Sequence, residues 1–190
     1  GLLWEVERLL QESVHEDLEL PQILMMENVP MVISKKNLPV FEDWLRFLTS
    51  IGYSNFYQCM QAKDFGVPQS RNRCFMISIL NIDKTYTFPK TIPLTKCVKD
   101  LLESDVDEKY YINNEKADLL IRQLIDSGAI KDTVNVVDGT VNNPTSSKQV
   151  SNCIKARYDN GISNQRSDGT MVVEKKCNIT ANIQKVGQIS

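Results

Sequence analysis

The chain reads as a three-layer α/β domain over roughly its first 80 residues, followed by a small, irregular α+β region. Two observations carry this. Up to Leu80, amphipathic helical patterns alternate with short apolar runs in the order helix, strand, helix, strand, loop, strand. After Leu80 the texture changes to proline-marked extended chain, one clear helix, and then short β-like runs between turns. The bulk numbers fit. A chain of 190 residues, 42% hydrophobic and 24% charged, is an ordinary globular composition with room for one full domain and part of another.

The elements follow in order. Leu2, Leu3, Val6, Leu9, Leu10 and Val14 recur at helical spacing, with Glu5, Glu7, Arg8, Glu12 and Glu16 on the other side, which predicts an amphipathic surface helix. Pro21 closes the linker after it. Ile23-Leu24-Met25-Met26 is a continuous apolar run, as in a parallel strand buried on both faces, and Glu27 falls at its carboxyl end. Pro39 near a helix start, then Phe41, Trp44, Leu45 and Leu48, then Gly52 past the end, predict a second helix. Residues 55–60 and the largely apolar 74–80 are predicted strands.

Pro89 and Pro93 mark an extended connector, which places the boundary within 81–95: a first domain over 1–85 and a second over 86–190. Residues 98–103 suit a turn of helix. Residues 114–127 predict a longer one, with Ala117, Leu120, Ile121, Leu124 and Ile125 periodic and Gly128 as the stop. Residues 138–152 are rich in Gly, Asn, Ser, Thr and Pro, the composition of a loop. Beyond Cys153, turns at Asn160-Gly161 and Asp168-Gly169 precede a strand-like Met171-Val172-Val173.

Several function classes recede at once. No apolar run approaches the length of a membrane span, and no basic-then-apolar leader is present, so a cytoplasmic location is expected. Five scattered cysteines without a C-x-x-C pair, and one histidine, His15, argue against a zinc site and fit reduced thiols. The net charge of −2 argues against a strongly basic nucleic-acid binder, yet its distribution is uneven. Residues 1–30 hold seven acids and one base, leaving 21 bases against 17 acids in the other 160. An acidic outer helix with a mildly basic remainder is compatible with one nucleic-acid-facing side. His15 reads as a surface residue and Trp44 as core.

Two short motifs carry chemistry. Glu27-Asn28-Val29-Pro30 puts a carboxylate at a strand end, on a turn fixed by proline, where open α/β sheets bind ligands. Partial shielding by Met25, Met26 and Val29 is expected to raise its pKa and let it donate a proton. Gln69-Ser70-Arg71-Asn72-Arg73 spaces an amide and two guanidiniums at i, i+2 and i+4. In one extended strand all three point to one face, a strong hydrogen-bonding surface for a carbonyl, carboxylate or phosphate. Each motif alone also suits an ordinary surface.

Together, in this order, they resemble two signature blocks of the cytosine-C5 DNA methyltransferases. Further stretches resemble the same family: Gly1-Leu2-Leu3-Trp4-Glu5-Val6 its preceding helix, Asp64-Phe65-Gly66-Val67-Pro68 the lead-in to the arginine motif, and Phe88-Pro89-Lys90 with Val98-Lys99-Asp100-Leu101-Leu102 the connector toward target recognition. The resemblance covers residues 1–105 and thins beyond. It implies the C-terminal part of a Rossmann-like sheet that uses S-adenosylmethionine, acting on a cytosine flipped out of double-stranded DNA. It implies that Glu27 protonates cytosine N3 and contacts the exocyclic amine, that Arg73 binds O2, that Arg71 braces Glu27 and the nucleophile loop, that Gln69 orders the site, and that Asn28 holds the turn. Such groups act by preorganisation.

The chain departs from the family pattern in lacking a Pro-Cys nucleophile pair, a glycine-rich cofactor turn and the late Gly-Asn block. Cys59 and Cys74 fall in predicted strands and read as core thiols. The chain opens without methionine, already inside an amphipathic pattern. The expectation is a piece of a bacterial or phage restriction–modification enzyme, inactive by itself. Two rivals stand: a tRNA cytosine-5 methyltransferase, and a non-catalytic truncated subunit that binds DNA or a partner.

Overall fold

The computed structural model describes residues 2–82, 85–112, 115–138, 149–153, 170–175 and 181–185. In chain order the elements are α1 (Leu2–His15), β1 (Ile23–Asn28), α2 (Leu38–Ser50), β2 (Tyr53–Gln61), β3 (Gln69–Ser70), β4 (Asn72–Leu80), β5 (Tyr111–Ile112), α3 (Glu115–Asp126), β6 (Val134–Asp138), β7 (Ser151–Asn152), β8 (Thr170–Lys175) and β9 (Ala181–Lys185). They form two compact units, Gly1–Gln61 with Asn72–Thr91, and Ala62–Arg71 with Ile92–Ser190. The turns expected at Asn160-Gly161 and Asp168-Gly169, and most of the expected 138–152 loop, lie outside the described residues.

The first unit is built on a three-stranded sheet of order β1-β4-β2. β4 is antiparallel to both neighbours. This corrects the parallel strand expected at Ile23–Met26. β1 and β2 do run the same way, joined through α2, but the last strand takes the place between them. Within this three-stranded sheet β1 is the outer strand, and Ile23 and Met25, on the face away from α1 and α2, are 62% and 66% exposed.

The alternation of a strand assigns each residue a face. One face carries Leu24, Met26, Cys74, Met76, Ser78, Leu80 and Tyr53, and α1 and α2 pack there: Leu10, Phe41, Trp44, Leu48, Tyr53 and Met76 form its core. α1 contributes through Leu3 and Leu10, whereas Leu9 and Val14 of the same apolar stripe stay about half exposed. His15 is exposed and Trp44 is 2% exposed, both as expected. A polar chain that starts at buried Ser78 pins the register: Ser78 Oγ donates to Asn55 Oδ1 at 2.6 Å, and Asn55 Nδ2 donates to Thr49 Oγ1 at 3.0 Å on α2. Directly opposed Asn55 and Ser78 satisfy each other only in this register. On the other face, Tyr86 of the connector lies against Phe56, with Phe88 edge-on to Tyr86.

In the second unit, the described strands form a sheet of order β5-β9-β8-β6 and a two-residue parallel pair, β3-β7. Ala117, Leu120, Ile121 and Leu124 of α3 pack with Val137, Met171 and Val173. Gly128 ends the helix at φ +66°. Its N–H donates to the Ile125 carbonyl at 3.0 Å, and the Ala129 N–H donates to that of Leu124 at 2.9 Å, the double closure of a Schellman turn. The turn of helix expected near 98–103 is a 3-10 turn at Val98–Leu101. No helix among the described residues is long and apolar enough to cross a membrane.

Candidate active site at the end of the first sheet

Because β1 and β4 are antiparallel, the carboxyl end of one lies beside the amino end of the other. The register pairs Glu27 with Phe75 and Asn28 with Cys74. Arg73 is two residues before Phe75, so Glu27 and Arg73 are diagonal neighbours on the face opposite the helices. Arg73 Nε lies 3.1 Å from Glu27 Oε1, and Arg73 Nη1 donates to the Asn72 carbonyl at 2.8 Å. The turn after Glu27 is held locally: Asn28 Oδ1 accepts the Val29 N–H at 2.8 Å, and Pro30 opens a 3-10 turn over Pro30–Ile33.

The Glu27 side chain is 44% exposed and that of Arg73 21%. At such exposure an ion pair adds only about 0–1 kcal/mol to stability. The pair contributes little to holding the fold. A carboxyl beside a planar guanidinium fork matches the edge of a flat ring that carries a ring nitrogen next to a carbonyl. The apolar shielding expected around Glu27 is absent, since Met25 is 66% and Val29 47% exposed. The guanidinium of Arg73 lies beside the carboxylate.

The arginine motif is not one continuous strand, as its spacing suggested. Gln69 and Ser70 pair with Ser151 and Asn152 in the second unit, while Arg73 sits in β4 of the first. Arg71 falls between them. Its guanidinium donates to Cys153 Sγ at 3.8 Å, its N–H to the Gln69 carbonyl at 3.0 Å, and its carbonyl accepts the Ala62 N–H at 2.9 Å. Reading the sequence missed residues 149–153 altogether. A two-residue parallel pair has no periodicity, and its polar stretch carries no signal beyond that of a loop.

Cys59 and Cys74 face each other across β2 and β4. Burial first, with Cys59 beside it, pushes the Cys74 thiol up to about 11, the setting of an inert core thiol. Among the described residues no group of His, Cys, Asp and Glu could hold a metal ion. The depressions lined by Leu45 and Thr49 lie at the opposite end of the sheet from Glu27.

Solved structures that share this mixed α/β fold are methyltransferases. The Entamoeba histolytica methyltransferase EhMeth matches 84% of this chain and 44% of its own, with a TM-score of 0.53 and 20% identity. At that identity the likeness speaks for the fold alone. A family profile described as C-5 cytosine-specific DNA methylase spans residues 1–188, and the chain belongs to that family. The type II methyltransferase M2.ScrFI of Lactococcus lactis subsp. cremoris is 40% identical over 116 residues, covering 61% of this chain and 31% of that protein. The orphan methyltransferase M.SssI of Spiroplasma monobiae is 42% identical over 114 residues, covering 60% and 28%. The chain thus spans a little under a third of the length of these curated relatives.

Proposed function

We propose that the protein to which this chain belongs is a DNA (cytosine-5)-methyltransferase that moves a methyl group from S-adenosylmethionine to C5 of a flipped-out cytosine in double-stranded DNA. The observation that carries the proposal is the Glu27–Arg73 pair at one end of the sheet, in a chain of this family. Cytosine becomes a better electrophile when N3 is protonated and charge at O2 is stabilised. Glu27 holds the proton at N3 and meets the exocyclic amine. Arg73 donates to O2, where charge builds up. Asn28 keeps Glu27 at the strand end through its bond to Val29. Arg71 and Gln69 keep the bracing and ordering roles that the family resemblance implies.

We place the first 85 residues in the catalytic domain, as the C-terminal part of a three-layer Rossmann-like sheet, and residues 86–190 in the connector and target-recognition region. S-adenosylmethionine supplies the methyl group. Gly52, Gly66 and Gly128 stand singly among the described residues, and none makes the glycine-rich strand-end turn that seats a nucleoside. The type II designation of M2.ScrFI supports a restriction–modification setting, and we place the protein in the cytoplasm.

The test is methyl transfer by the full-length protein to duplex DNA, with tRNA as competitor. Methylated duplex that resists competition is expected. A preference for tRNA would shift the substrate, and absence of transfer to either would end the enzymatic reading. The 190-residue chain by itself should transfer nothing; turnover by it would show that a nucleophile and cofactor site lie within these residues after all.

A further inference from the structure

Within the second unit, residues 149–153 form a short strap across the start of the arginine motif. Ser151 is 7% exposed. Its N–H donates to the Pro68 carbonyl at 2.8 Å and its hydroxyl to the same oxygen at 3.2 Å. Ser151 and Asn152 pair in parallel with Gln69 and Ser70, and Cys153 Sγ accepts from the Arg71 guanidinium at 3.8 Å. The strap is itself anchored on its other side. The Val98 N–H donates to the Gln149 carbonyl at 2.9 Å, and the Asn152 N–H to Thr170 Oγ1 at 2.7 Å, at the start of β8.

These contacts have a mechanical meaning. Segment 62–71 is a loop closed at its neck by the Ala62–Arg71 hydrogen bond, 2.9 Å. Its first half is held from within and by Ile92: the Phe65 and Val67 N–H groups donate to the Ala62 carbonyl at 3.0 and 3.3 Å, and the Ile92 N–H to that of Asp64 at 2.9 Å. Its second half is fixed where Pro68 is held, because a buried carbonyl that takes two donors has one favoured orientation. Three residues on from Pro68 stands Arg71. Ser151 therefore sets the pitch of the segment from which the guanidinium projects, and Cys153 receives the guanidinium itself. We propose that Ser151 is a positioning residue for Arg71, and that the strap 149–153 couples β8 and the turn at Val98 to the arginine motif.

This rests on the methyl-transfer reading, and the test separates the two. In the full-length protein, Ser151→Ala keeps the backbone pairing and removes the hydroxyl, so kcat should fall about fivefold to tenfold, the loss of one modest hydrogen bond. KM for S-adenosylmethionine should not change. Ser151→Thr should restore most of the rate. Hydrogen–deuterium exchange is the second readout and needs no activity. In Ser151→Ala, amides within 62–71 should exchange faster while those of β2 and β4 do not. Thr170→Val, which removes the acceptor of the Asn152 N–H and leaves Ser151 untouched, should act in the same direction and covers the case in which Ser151→Ala fails to fold. Unchanged exchange in 62–71 overturns the positioning role whether or not the protein is active. Faster exchange with unchanged kcat overturns its bearing on the reaction. A wild-type protein without methyl transfer removes the enzymatic reading and leaves the exchange result to decide the strap.

Discussion

Glu27 and Arg73 meet 3.1 Å apart on a half-open sheet edge, and their value should lie in reaction rather than stability. Glu27→Gln keeps the shape of the side chain and removes its charge. Arg73→Lys keeps the charge and loses the planar fork. Each should cut methyl transfer by the full-length protein about 100- to 1,000-fold, the range for losing one preorganised transition-state contact. Each should change unfolding free energy by less than about 1 kcal/mol. Parallel measurement of kcat and chemical denaturation decides this; a large stability loss with modest rate loss would make the pair structural. A second residue-scale effect belongs to Tyr111, whose hydroxyl donates to Glu174 Oε2 at 2.7 Å. That bond first, then burial and the charges of Glu174, Asp105 and Glu108, push the phenol up to about 12. Its unfolded value is near 10. A raised folded-state value means the stabilisation is complete below about pH 10 and is lost as pH rises through about 12. Tyr111→Phe should therefore melt below wild type at neutral pH, with the gap closing above about pH 10. A gap that does not vary with pH would contradict the assignment.

At the scale of elements, the helices were legible because their signals are local. Phe41, Trp44 and Leu48 recur within one stretch, and α2 appears there, over Leu38–Ser50. Strand positions were legible too, but strand partners were not. Ile23–Met26 reads as a fully buried run, yet which strand lies beside it depends on residues 50 positions away, and β4 rather than β2 took that place. Glu27 and Arg73 could be named from their motifs; that they touch follows only from the antiparallel register. Packing predictions follow from the faces. Leu48 is fully buried in the core of the first unit, so Leu48→Ala should cost about 2–5 kcal/mol. Met25 is 66% exposed, so Met25→Ala should stay within about 0.5 kcal/mol, although both residues looked like core in the sequence. Gly52 turns α2 into β2 at φ +97°, where an added Cβ would come within 3.2 Å of Asn81 Oδ1. Gly52→Ala should cost about 1–2 kcal/mol. Urea denaturation of the three variants tests the ranking.

At the scale of the whole molecule, the chain passes between its two compact units after Gln61, after Arg71 and after Thr91. The second unit is therefore assembled from two separate stretches. Residues 92–190 expressed alone lack β3 and the Phe65 partner of Ile92, and so leave the Ser151 N–H without the Pro68 carbonyl. Amide exchange around 149–153 should be faster in that piece than in the full chain, and adding a peptide of residues 62–71 should slow it; equal exchange would show that the short stretch is dispensable. The arrangement also bears on how relatives can trade parts. A single recombination crossover near residue 91 would bring in a new strap against an old 62–71 segment. The pairing of Ser151 and Asn152 with Gln69 and Ser70 runs through backbone atoms, which nearly any residue supplies, so such hybrids should keep that pairing across divergence in side chains while losing what the Ser151 hydroxyl adds to the rate. They should fail where the incoming sequence places proline at the position of Ser151, since proline has no N–H to give the Pro68 carbonyl.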